Sequence, residues 1–246
     1  MYEYITDALF CKLYLSGNCE NYIIGNRKTG KAQKMTINIE DLLNSIKGSV
    51  DRIEYIRAMD IPDIGLYMDQ VTTFMDTHLK NTTREPATDK ILTKTMINNY
   101  AKNNLLPPPS KKKYSRDHVL LLIFIYYYKG ILSISDIQEL LQPITQRYFE
   151  NGKTYDLTRV YEEVFSLERE QKDVLKADVE EKFQIAQKTF EDAPEEERDF
   201  LKIYSFICML SFDVYVKKLL IEKMIDGITD KRGEEKRKKG KMQEEE

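Results

Sequence analysis

Residues 93–141 read TKTMINNYAKNNLLPPPSKKKYSRDHVLLLIFIYYYKGILSISDIQELL, and the punctuation of this stretch decides the fold. Thr93 is a good N-cap residue for a short helix running to about Lys102. At helical spacing Met96, Ile97 and Tyr100 fall on one side and must face a core, while Thr95, Asn98 and Lys102 lie opposite, flanked by Lys94 and Asn99. Leu105-Leu106 leads into Pro107-Pro108-Pro109, three residues without a backbone donor, which forbids helix there. After Lys111-Lys112-Lys113-Tyr114, Ser115 caps the next helix, with Asp117 in the first turn where the dipole favours an anion. Val119 to Tyr128 is apolar on nearly every side, as a buried central helix is, and Gly130 stops it. Ser133 and Asp136 have capping-box spacing and open a helix through Leu140-Leu141, expected to end before Pro143.

Upstream, Asp60-Ile61-Pro62-Asp63 is a turn signal whose two carboxylates serve capping and turn formation. Tyr67, Val71, Phe74, Met75 and His78 then recur on one face of an amphipathic helix, with His78 at its boundary. Asn81 to Asp89 is a polar loop. Downstream, Leu175, Val179, Phe183, Ala186 and Phe190 repeat at helical steps, and Asp192-Ala193-Pro194-Glu195 is a strong helix start. The helix from Phe200 to about Ile225 is apolar around most of its girth, so it must be covered by its own chain or by a second copy. Five segments follow: an N-terminal extension 1–34, a short helical lead-in 35–60, the patterned module 61–145, a C-terminal helical region 146–228, and a charged tail 229–246 expected to be disordered. Met35 opens the first well-patterned stretch, which points to a natural start there and leaves 1–34 as either an upstream artefact or a loose arm.

Composition narrows the chemistry. The 246 residues suffice to bury a core, and hydrophobic residues at 41% with charged residues at 32% describe a globular, strongly charged chain. The longest apolar run, Val119 to Tyr128, is too short for a membrane span, and Glu3 and Asp7 stand where a secretory leader carries basic residues. Cys11, Cys19 and Cys208 lack metal-ligand spacing and fit free thiols in a reducing cytoplasm, with Cys208 expected to pack in a core. Gly25 to Ala32 nearly spells a phosphate-binding loop, but Ala32 replaces the hydroxyl that holds magnesium and no patterned helix follows. No nucleophile–histidine pairing or metal-ligand helix appears either, so neither an enzyme, a cofactor nor a metal site is expected. Net charge is only -3, yet Lys94 to His118 carries six basic residues against Asp117 alone. By contrast, residues 161–200 carry 14 acidic and 6 basic ones. A local cationic block on an acidic protein is either the footprint of phosphate-backbone binding or a solvated surface, and charge alone does not choose between them.

From Thr93 to Leu141 the order of signals resembles the N-terminal DNA-binding module of MerR-type transcriptional regulators. Thr93, Met96 and Tyr100 occupy the recognition-helix pattern, and Asn104-Leu105-Leu106-Pro107 the helix exit. Lys111-Lys112-Lys113-Tyr114-Ser115 stands as the wing and its return, and Gly130-Ile131-Leu132-Ser133-Ile134 with Asp136-Ile137 and Leu140-Leu141 as the last helix. Asn98 and Asn99 replace the Arg-Tyr usual in that class. The wider stretch from Leu66-Tyr67-Met68-Asp69-Gln70 through Leu141 is similar to a bacterial family catalogued as domain of unknown function eighteen thirty-six. The resemblance implies a mainly α fold, a winged helix-turn-helix followed by a C-terminal helical dimerisation region, and a cytoplasmic regulator of transcription. Its partners would be double-stranded DNA and a second copy of the chain, paired through Phe200 to Ile225. The DNA-binding residues it implies are Lys94, Thr95, Asn98, Asn99, Lys102, Lys111, Lys112, Lys113, Tyr114 and Arg116, with Tyr100 and Tyr114 mainly packing the module together. The alternative is a helical protein-interaction module that keeps the winged shape without DNA, using the acidic 161–200 segment or the apolar 200–216 helix.

Overall fold

The computed structural model describes residues 39–51 and 55–244. The near phosphate loop, Cys11, Cys19 and Met35 lie outside the described residues. Among those described, the chain is mainly helical, with one two-stranded sheet. Helix α1 (Ile39–Asp51) precedes strand β1 (Leu66–Tyr67), which runs directly into α2 (Met68–Leu79). Then come α3 (Lys94–Lys102), strand β2 (Lys113–Tyr114), α4 (Arg116–Tyr128) and α5 (Ile134–Tyr148). Finally α6 (Leu157–Glu170), α7 (Lys172–Gln187) and the long α8 (Glu195–Glu244) complete the chain. No helix among the described residues is long and apolar enough to cross a membrane.

Helix α4 is the axis of the main core. Every residue from His118 to Ile125 is buried, so its whole girth is covered by neighbours. Around it pack Val71, Met75 and Leu79 of α2, Ile97 and Tyr100 of α3, Ile137 and Leu141 of α5, and Tyr161 and Phe165 of α6. Fully burying one such aliphatic side chain contributes about 1.5–3 kcal/mol, which is why this apolar helix organises the module. The core does not stop at residue 145. Tyr161 of α6 is 1% exposed and its hydroxyl donates to the Ile56 carbonyl at 2.6 Å, tying both ends of the module together. A second, smaller cluster joins Leu43 of α1, Phe183 and Ala186 of α7 and Phe206 of α8.

Four expectations are corrected. Helix α5 runs through Pro143 to Tyr148; Ile144 and Tyr148 beyond the proline pack on the main core, and that burial outweighs the missing hydrogen bond. Tyr67 does not join the apolar stripe of α2 but sits in β1 as that helix's N-cap, 53% exposed. Helix α8 continues to Glu244 through the segment expected to be disordered, where lysine, arginine and glutamate are good helix formers. Cys208 is exposed, because α8 turns only one face to the chain and Cys208 lies on another.

Candidate nucleic-acid interface

The nine residues of α3 are set from both ends. At its start the Thr93 hydroxyl accepts from the Met96 N–H at 3.2 Å. At its end Asn104 takes a φ of 55°, reversing the chain, and the Leu105 and Leu106 N–H groups both donate to the Tyr100 carbonyl. Ile97 is fully buried and Tyr100 7% exposed, so the helix cannot rotate. Lys94, Thr95, Asn98, Asn99 and Lys102 are all exposed as a consequence, as the spacing predicts.

The segment expected as a wing is a tight hairpin turn. The Lys113 N–H donates to the Ser110 carbonyl at 2.9 Å, which leaves Lys111 and Lys112 as the two central residues of the turn. Both have positive φ, 49° and 64°, the pattern of the primed hairpin turn that normally selects glycine or asparagine. Their side chains and that of Lys113 are exposed. Strand β2 pairs antiparallel with β1, Leu66 opposite Tyr114 and Tyr67 opposite Lys113. Gly65 permits that approach, since a Cβ there would stand 3.0 Å from the Lys113 Cβ.

The first turn of α2 joins helix and wing. Lys113 Nζ lies 5.3 Å from the centroid of the Tyr67 ring, a cation–π contact. Two residues on, Asp69 forms an ion pair with Lys94 at the start of α3. The start of α2 thus engages one lysine from each of two separate elements. Tyr67 was missed as a candidate because its helical spacing assigned it to the buried stripe; Gly65 just ahead of it was the available signal.

Two of the expected contact residues face elsewhere. Tyr114 is 3% exposed and packs edge-on against His118 at 5.4 Å, so it supports the wing and does not reach outward. Burial raises its phenol above the ordinary value. Arg116 is half-buried; its Nη2 lies 3.4 Å from the Ile61 carbonyl and 3.7 Å from Asp63. The guanidinium is thus engaged with the loop ahead of β1.

His118 fastens the base of the wing. It is 2% exposed, and its Nδ1 accepts from the Ser115 N–H at 3.0 Å, which places the ring proton on Nε2. The ring also packs edge-on against Phe149 at 4.8 Å. Burial lowers its pKa, and the Glu150 carboxylate and the carbonyls of Pro108 and Pro107 offset part of that. Nε2 nevertheless meets no partner at good hydrogen-bond geometry among the described residues. Next to it Asp117 accepts from the Glu150 N–H at 2.6 Å, while burial raises its carboxyl above the usual range.

The arrangement offers binding groups: exposed amides, a hydroxyl and ammonium groups on a fixed frame. Among the described residues no three His, Cys, Asp or Glu side chains converge as metal ligands would. No curated protein and no solved structure matches the chain. The main core runs in sequence from Ile56 to Phe165 before α8 adds Ile225. Nearly the same span, residues 56–164, matches the model of the family described as Domain of unknown function (DUF1836), so that domain and the main core coincide.

Proposed function

We propose that the chain is a DNA-binding regulator of transcription, working in the cytoplasm by binding alone. Helix α3 enters the major groove, whose width of about 12 Å admits a helix with its side chains. Asn98 and Asn99 present amides suited to adenine, Thr95 a hydroxyl and a methyl, and Lys102 a donor to guanine or phosphate. Lys111, Lys112 and Lys113 contact the backbone from the wing. Lys94 reaches a phosphate by leaving Asp69, an exchange that costs little for an exposed pair.

The observation that supports this reading is the pair of lysines at the tip of the hairpin. Two lysines occupy left-handed positions that disfavour them, with side chains turned to solvent. A polyanion is the partner that makes use of them. The test is selection of bound fragments from sheared genomic DNA by the full chain, repeated with Lys111, Lys112 and Lys113 changed to alanine. Removing one lysine–phosphate pair reduces the log–log salt slope by roughly 0.9, so the triple variant should flatten it by about 2 to 3. Recovery of nothing above background at low salt would end the DNA reading and favour the protein-interaction alternative.

A further inference from the structure

One buried ring ties the lysine-bearing hairpin to the rest of the molecule. Strands β1 and β2 pair over two residues each, too short a ribbon to stand by itself. The return of the hairpin is held at its base by His118, in the first turn of α4. Tyr114 of β2 packs edge-on against the ring at 5.4 Å, and Ser115, next in the chain, donates its N–H to Nδ1 at 3.0 Å. Phe149, just past α5, adds a second edge-on contact at 4.8 Å. The carbonyls of Pro107 and Pro108, in the segment leading into the hairpin, lie close to the ring as well. Separate stretches of chain therefore converge on a side chain that is 2% exposed.

Only the neutral ring fits this place. Nδ1 accepts from the Ser115 N–H only while it carries no proton of its own. A proton there sets two donors face to face. The Ser115 hydroxyl, 2.8 Å from Nδ1, can accept the new proton, but the Ser115 N–H is then left without its acceptor. Nε2 already carries a proton and, among the described residues, meets no partner at good geometry, so it offers no compensation.

The charged groups nearby do not reverse that preference. Glu150, following Phe149, acts on the ring and favours its charged form, but burial outweighs it. On the same helix as the ring, Asp117 accepts from the Glu150 N–H and has Asp156 near it, while Arg116 is engaged with the Ile61 carbonyl and Asp63. In the hairpin, burial raises the Tyr114 phenol, which stays uncharged, and the side chains of Lys111, Lys112 and Lys113 are exposed. The run from Asn103 to Ser110 carries no ionisable side chain. We propose that His118 is a proton-operated latch: neutral, it holds the hairpin on α4, and protonated, it releases the hairpin while the main core stays folded. In the released form the ring meets water and takes a proton below its ordinary 6.5, so the latch is closed above that pH and opens as pH falls below it. Acid thus frees Lys111, Lys112 and Lys113 from a fixed frame. The inference uses only the attachment of the hairpin and stands whether or not the chain binds DNA.

Native-state amide hydrogen exchange of the full chain, read by NMR and corrected for the intrinsic effect of pH, tests it. The Lys113 and Ser115 amides, which donate to the Ser110 carbonyl and to Nδ1, should exchange through an opening that low urea leaves unchanged, unlike the buried turns of α4. Between pH 7.5 and pH 5.5 their protection should fall by up to about tenfold, the limit for one proton taken up by the open form alone. His118→Gln, whose Oε1 can accept the Ser115 N–H as in a capping box, should hold that protection level across the range. Asp117→Asn should keep the fall; its loss there would make the carboxyl the switch and overturn the proposal. A fall that persists in His118→Gln overturns it, as does an unaltered chain in which these two amides open only with the whole molecule or show no dependence on pH. The ring gives a reading without any substitution. Its nitrogen shifts at pH 7.5 should be those of the neutral form protonated at Nε2, and a ring protonated at Nδ1 overturns the latch.

Discussion

Lys111 and Lys112 are costly where they stand. A left-handed backbone costs a residue with a Cβ about 1–2 kcal/mol, and both side chains are exposed. Changing the pair to Asn-Gly should therefore raise stability to chemical denaturation by about 1–2 kcal/mol while weakening binding to duplex DNA. A loss of stability would mean that the lysines support the hairpin, and the argument for a polyanion would fall. His118 makes the opposite kind of contribution, to the frame. Its folded pKa lies below the unfolded 6.5, so the native state holds it neutral. Its contribution to stability is complete above that pH and is lost as pH falls through and below it. The melting temperature should decline from pH 7 to pH 5, and His118→Asn, whose side-chain oxygen can replace Nδ1 as acceptor, should remove part of that decline. Asp117, with its carboxyl raised above 3.8, binds protons in the folded state first and opposes the loss at the acid end of the range.

Among the elements, α5 carries a built-in defect. Pro143 removes one hydrogen bond in mid-helix, and a proline there is worse than alanine by up to about 3 kcal/mol. Pro143→Ala should raise the melting temperature without moving Ile144 or Tyr148 from the core; a lower value would show that the ring itself fills space. The helix starts at Thr93, Ser115 and Ser133 were legible in the sequence because capping is local: the side chain satisfies an N–H two or three residues on. The outward set on α3 was legible for a related reason, since burying Ile97 and Tyr100 leaves a short helix no freedom about its axis. Passage through Pro143 was not legible, because the burial that permits it belongs to distant neighbours. Strand β1 was invisible for the same reason, being two residues long with its partners, Tyr114 for Leu66 and Lys113 for Tyr67, far ahead in the chain. The left-handed wing tip left no trace at all, as neither glycine nor asparagine marks it.

For the molecule as a whole, α8 is the element that makes one body of two clusters. Phe206 belongs to the small cluster with α1 and α7, while Ile225 is 4% exposed in the main core, and Ile221 packs beside it. These two anchor points lie 19 residues apart on one helix, a span of about 28 Å. Thr229 adds a polar link from α8 to Glu139 of α5 at 3.4 Å. A stiff rod docked at both points transmits strain between them, so neither cluster can open while the other keeps its hold on α8. The full chain should unfold in one transition, with far-UV circular dichroism and tyrosine fluorescence coinciding. Ile225→Ala should lower its stability by about 2–4 kcal/mol, the cost of a buried isoleucine cavity. Ile225→Asp should go further and separate the two probes, because a buried charge breaks the distant hold while leaving Phe206 in place. Two transitions in the unaltered chain would mean that the clusters are independent.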